Sequence, residues 1–263
     1  MRARLKAGLG RLAGSSQPQG LTALIYHRVG GGSADERDVP TPFFAAQVAV
    51  LAETGLVTPL DVAVDRLEAG DPTPSVVLTF DDGFQDVHTN AWPLLRTARL
   101  PFTLYAATGY LGRTMHWEGS TAKDTGAPAL SWEQLGEMVS SGLCTVGNHT
   151  HDHVRPEVLA VDQIDRCSDE IERHLGVRPR HFAYTWGIPV PRLEPELRQR
   201  FRSATTGELG RNLPCGDLMR LRRVPVRGTD PLPFFEAKLR GRLLPERAYG
   251  GIVAAAKRVG VSA

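Results

Sequence analysis

Apolar runs alternate along most of this chain with segments whose apolar positions recur at helical spacing. Leu21 to Tyr26 is a continuous apolar run and predicts a buried strand. After Pro42, Phe44, Val48 and Leu51 share one helical face and Gly55 supplies a stop; a shorter helix from Asp61 ends at Gly70. Val76 to Phe80 predicts the next strand. Residues 86–98 carry Ala91, Leu94 and Leu95 at helical spacing with Pro93 among them as a breaker, and Phe102 to Ala107 returns as a strand. Ser131 followed by Gln134 forms a capping box ahead of Leu135, Met138 and Val139, with Gly142 as the stop. Strand Cys144 to Gly147, a helix through Ile164, Cys167, Ile171 and Leu175 closed by Gly176, and strand His181 to Tyr184 complete the series. This alternation predicts a parallel sheet covered by helices. Chemistry-bearing residues at successive strand C-termini fit a barrel with its active face on that side, although periodicity alone does not separate a barrel from an open sheet.

The strand ending at Phe80 runs directly into Asp81-Asp82-Gly83. Two adjacent carboxylates raise one another's pKa unless a cation or hydrogen bonds intervene, so a positive group is expected beside them. Downstream, Gly147-Asn148-His149-Thr150-His151-Asp152-His153 supplies imidazoles at a four-residue repeat. Two histidines and one carboxylate make a three-ligand metal site with open positions, leaving the second carboxylate free as a base. Taken alone, Asp-Asp-Gly also suits a turn, and the same donor set also serves non-haem iron oxygenases.

Thr79-Phe80-Asp81-Asp82-Gly83 followed by His149-Thr150-x-x-His153 resembles the polysaccharide deacetylases, carbohydrate esterase family four. Further similarity lies in Ile25-Tyr26-His27-Arg28-Val29, Leu130 to Leu135 and Phe182 to Gly187, so the likeness spans roughly residues 21 to 227. The resemblance implies a distorted, incomplete (β/α) barrel and hydrolysis of the N-acetyl group of an N-acetylhexosamine in a polysaccharide, oligosaccharide or glycoconjugate precursor. It implies Asp82, His149 and His153 as metal ligands, zinc before cobalt, nickel or manganese, with Asp81 as base. Thr150 is then expected to orient a ligand, and His151 to serve the local turn. Two positions depart from the family pattern. Ala183 stands where an arginine would orient the catalytic aspartate, and Arg223 stands where a histidine would act as acid. Asp81 then needs another partner, and His27, at the end of the first strand, becomes the substitute acid, with a structural histidine as its other reading. Trp186, at a tyrosine position, offers its backbone N–H to an oxyanion or else serves the core. Trp117, in the long connection 109–129, is a candidate for sugar stacking or loop anchoring.

With 263 residues and 41% hydrophobic composition, one catalytic domain over residues 21–263 is expected, preceded by a flexible basic segment 1–20. Lys and Arg number 31 against 29 for Asp and Glu, a balance that speaks against nucleic acid as a partner. Cys144, Cys167 and Cys215 show no paired spacing and are expected to be buried thiols. No stretch approaches a bilayer span or a secretory h-region, so a cytoplasmic protein is expected, with peripheral membrane contact through residues 2–13 as a lesser option. Two alternatives stand beside the deacetylase: another C–N amide hydrolase or deformylase, and a carbohydrate-binding protein that has lost catalysis.

Overall fold

Strands buried on both faces read as near-continuous apolar runs, and here those runs build a parallel barrel. The structure, a computed structural model, describes residues 19–117, 119–122 and 126–250. The expected basic segment therefore lies largely outside the described residues. Strand β1 spans Leu21–Tyr26 and is followed by a two-stranded ribbon, β2 at Arg28–Val29 and β3 at Asp38–Val39. Helices α1 (Thr41–Thr54) and α2 (Leu60–Glu68) lead into β4, Ser75–Phe80, which is buried along its whole length. Then come α3 (Trp92–Ala98), β5 (Phe102–Ala106), α4 (Trp132–Ser140), β6 (Cys144–Asn148), α5 (Val161–Leu175) and β7 (His181–Ala183). Helix α6 (Glu194–Arg200), β8 (Ser203–Leu209), β9 (Leu221–Pro225) and α7 (Leu232–Leu239) follow; none of these four was expected.

Seven of the strands close in the order β1-β4-β5-β6-β7-β8-β9, with Ala23 of β1 beside Arg223 of β9 at the seam. A complete (β/α) barrel has eight strands, so the expected incomplete barrel is what forms. Alternate residues point to opposite faces. Leu24, Leu78, Phe80, Leu104 and Val146 pack outward under the helices, whereas Ala23, Val77, Tyr105, Ala183 and Leu221 meet inside the barrel. Helix α2 closes the floor with Leu60, Ala63, Val64 and Leu67 against that inner set.

Local signals explain most boundaries. Gly55 and Gly176 take left-handed conformations at the ends of α1 and α5, which a Cβ would oppose. The capping box forms in both directions: Ser131 Oγ accepts from the Gln134 N–H at 3.2 Å, and Gln134 Oε1 accepts from the Ser131 N–H at 3.0 Å. The expected helix over 86–98 is divided. Val87–Ala91 forms a π-type turn, and α3 begins at Trp92 so that Pro93 occupies its first turn, where a missing N–H is harmless.

Candidate active site

Asp81 and Asp82 diverge because the backbone turns sharply between them. The Asp81 N–H still donates to Tyr26 as β4 would, while Asp82 adopts φ 75° and Gly83 φ 96°. Of the six non-glycine residues with positive φ among the described residues, Asp82, Thr150, His153 and Trp186 all lie at this end of the barrel. Backbone strain is thus concentrated where the candidate site is, as functional sites often show.

Asp82 Oδ1 lies 3.4 Å from His149 Nε2 and 3.4 Å from His153 Nε2. All three side chains are buried, and their donor atoms lie within 4.8 Å of one another. His149 Nδ1 donates to the Ala183 carbonyl at 2.9 Å, so its Nε2 presents a lone pair to the carboxylate. His153 Nδ1 has no hydrogen-bond partner among the described residues. Tetrahedral ligation with arms of about 2.0–2.1 Å sets donors about 3.3 Å apart, close to the separation of Asp82 from each imidazole. Lone pairs facing one another at that separation fit a bound divalent cation.

Asp81 has a different environment. Arg223, reaching inward from β9, donates from Nη1 to Oδ1 at 2.7 Å and from Nη2 to Oδ2 at 2.8 Å. Nε also donates to the Thr206 carbonyl at 2.8 Å, and Nη1 reaches Thr79 Oγ1 at 3.3 Å. Burial would raise the Asp81 carboxyl, but the charge of Arg223, joined by His149, outweighs it and holds the pKa below its usual value. Burial opposes Asp82 likewise, and the contacts with His149 and His153 hold it well below the carboxylate range. Among the imidazoles, burial pulls both down; Asp82 reverses this at His149, which is raised, and not at His153, which is lowered. These groups line one cavity of ≈440 Å³, together with His27, Trp117 and Trp186.

Residues 68–199 match the model of the polysaccharide deacetylase family. A solved structure of IcaB from Ammonifex degensii is 30% identical and superposes with a TM-score of 0.72, covering 86% of this chain and 98% of that one. The chain belongs to the polysaccharide deacetylase family. The poly-β-1,6-N-acetyl-D-glucosamine N-deacetylase of Staphylococcus epidermidis is 35% identical over 129 residues, 44% of this chain and 42% of that protein. The protein of the same name from Escherichia coli is 31% identical over 140 residues, 50% of this chain and 20% of that one. This polysaccharide deacetylase chain therefore spans less than half the length of either curated relative.

Sequence reasoning missed the partner of Asp81. Ala183 removes the family's arginine, and Arg223, read only as a missing histidine, supplies a guanidinium from another strand. The signal was a second departure at a strand position facing the barrel interior. His27 lines the cavity, and burial lowers its imidazole pKa against the opposing pull of Asp82 and Asp81. Trp186 is 38% exposed with its ring under the Arg155 guanidinium at 4.9 Å, so the core reading of this tryptophan is corrected: a φ of 61° turns its ring out of the packed interior. Trp117 stacks on His153 with centroids 4.3 Å apart and anchors its loop on Tyr110 and Phe84.

Other expectations need correction. Among the described residues Thr150 Oγ1 makes no hydrogen bond, so it orients neither histidine; its N–H, on a left-handed backbone, donates to Asn148 Oδ1 at 2.9 Å. His151 is turned to Thr108 Oγ1 at 2.9 Å, away from the donor trio, in keeping with a local role. Cys144 and Cys167 are buried, but Cys215 is exposed on the β8–β9 connection. Among the described residues no helix is long and apolar enough to cross a membrane.

Proposed function

We propose that this chain is a metal-dependent N-deacetylase that hydrolyses the acetamide of an N-acetylhexosamine in a glycan or glycoconjugate and releases acetate. The observation that carries the reading is the Asp82, His149 and His153 trio, its donor atoms within 4.8 Å of one another and Asp82 3.4 Å from each imidazole, with a second, separately held carboxylate, Asp81, 3.9 Å from His149. Residues 21–263 serve as one catalytic domain. The trio would hold the ion, and two imidazoles with one carboxylate favour zinc, with cobalt, nickel or manganese as substitutes. When bound, such an ion supplies a Lewis acid for the acetyl carbonyl and lowers the pKa of water beside it.

Asp81, kept ionised by Arg223, accepts a proton from the attacking water. The Trp186 backbone N–H donates to the oxygen that gains charge as water adds to the carbonyl carbon. His27 gives a proton to the amine as the C–N bond breaks. Trp186 and Trp117 wall the cavity with apolar surface suited to a sugar face.

The test is acetate release from N-acetylated sugars, oligomers and sugar conjugates, with β-1,6-linked N-acetylglucosamine oligomers in the panel because the named relatives act there. Activity should vanish on chelation and return with zinc or cobalt. Full metal occupancy without acetate release from any substrate would overturn the reading. Recovery of the native protein in a wall fraction would overturn the cytoplasmic expectation.

A further inference from the structure

Barrel interiors are ordinarily filled by branched apolar side chains. Below Asp81 this one is instead crossed by hydroxyls. Thr79 and Thr103 are neighbours across β4 and β5; Tyr105 lies further along β5, and Thr205 comes from β8. Thr79, Thr103, Tyr105 and Thr205 are all fully buried. Tyr105 can cross the interior only because β6 carries Gly147 there. A Cβ at that position would lie 2.4 and 2.6 Å from two ring carbons of Tyr105 and 3.2 Å from the His181 carbonyl oxygen. A glycine inside a strand marks just such a close approach.

The Tyr105 ring sits 5.9 Å from the guanidinium carbon of Arg223. Thr79 is fully engaged, donating to the Leu24 carbonyl at 2.8 Å and accepting from Arg223. Tyr105 Oη, Thr103 Oγ1 and Thr205 Oγ1 are not: each is buried without a hydrogen-bond partner among the described residues. Thr205 is close enough to offset part of the upward push of burial on the Tyr105 phenol, yet the two oxygens do not form a direct bond of normal geometry. Arg223 offers five N–H groups, of which four are matched by Thr206, Thr79 and the two Asp81 oxygens. Leaving a buried hydroxyl unpaired costs about 1–3 kcal/mol, and ordered water is the usual remedy in a polar interior.

We propose that Tyr105, Thr205 and Thr103 hold ordered water inside the barrel, and that this hydrated seat positions Arg223 and, through it, Asp81. Tyr105 and Thr205 are then positioning residues, remote from substrate. The kinetic part rests on the deacetylase reading; the hydration part does not.

The experiment pairs a high-resolution crystal structure of the metal-loaded protein with Thr205→Val, Thr205→Ser and Tyr105→Phe. Solvent density within hydrogen-bonding distance of Tyr105 Oη and Thr205 Oγ1 is expected, together with a displaced Arg223 guanidinium in Thr205→Val. The isosteric Thr205→Val and Tyr105→Phe should lower kcat about 10-fold at unchanged KM and metal content, as small misplacements of a reacting group do. Thr205→Ser should restore it. A direct Tyr105–Thr205 hydrogen bond with no solvent between them would overturn the hydration. A fall in Tm with kcat per metal-loaded molecule unchanged would overturn the positioning role. Should the wild type deacetylate nothing, the proposed function falls, while the solvent density and the Arg223 displacement still decide this inference.

Discussion

Replacing Arg223 by Met is the perturbation with the largest expected effect outside the metal ligands. Arg223 is 1% exposed and the Asp81 side chain 4%, so their two hydrogen bonds are made in a nearly water-free setting. Removing one member of a buried pair strands the other charge and costs about 3–5 kcal/mol, well above the roughly 1 kcal/mol of a single neutral hydrogen bond. The Thr206 carbonyl loses its donor as well. For a chain of this size each kcal/mol moves Tm by roughly 2–4 °C, so a fall of roughly 6–20 °C is expected. Urea unfolding under chelation measures the loss without a metal contribution. Arg223→Lys keeps the charge but not the planar fork, and should lose less stability.

Two controls isolate the pair. Asp81→Leu combined with Arg223→Met removes both charges and should recover more than half of the stability lost by Arg223→Met alone, since apolar replacements of a buried pair are often neutral. On metal-loaded protein, Arg223→Lys should lower kcat by about 100-fold with KM unchanged, the effect of a mispositioned base. A loss under about 1 kcal/mol for Arg223→Met, with kcat near wild type, would refute the reasoning, because the buried-pair argument admits no such value.

Asp82→Asn should lose metal by elemental analysis, whereas Asp81→Asn should retain it and lose about 10²–10⁴ in kcat; metal retained by Asp82→Asn removes that ligand. His27→Ala should keep metal and lose acetate release, and an unchanged kcat eliminates the acid role. The contact with His181 at 3.3 Å, aided by Arg180 and Arg202 against partial burial, holds the Asp61 carboxyl at about 2. That stability is present above the unfolded carboxyl value of about 3.9 and is lost as pH falls towards about 2. With the carboxylate 32% exposed, screening leaves about 1 kcal/mol, so Asp61→Asn should flatten the acid limb of the stability curve by that amount, and an unaltered limb refutes it. Gly147→Ala drives a Cβ into the Tyr105 ring and should cost about 1–3 kcal/mol in urea unfolding; a neutral effect would show the ring to be free to move.

The strands that carry Asp81, Asp82 and His149 were legible because apolar runs buried on both faces leave a plain trace, and the chemistry follows each run directly. β8 and β9 left none. Ser203 to Leu209 contains serine, threonine, glycine and glutamate, and Leu221 to Pro225 contains two arginines: Ser203, Thr205 and Arg223 are buried, while Glu208 and Arg222 are exposed, so neither strand leaves an apolar run. The polar interior that engages Arg223 thus also concealed the strand bearing it. Nor does one sequence record which strands meet when a barrel closes: β9 pairs with β1 and β1 with β4, which brings Arg223 to Asp81 across 142 positions of chain. Read separately, Ala183 looks like a lost arginine and Arg223 like a lost histidine, and together they motivate a silent, glycan-binding protein. In the closed barrel they form one exchange. The guanidinium absent from β7 arrives from β9 and engages the same carboxylate at both oxygens, so the loss of arginine at Ala183 no longer supplies a ground for lost catalysis, and the acid that Arg223 displaces is the one function that His27 has to supply.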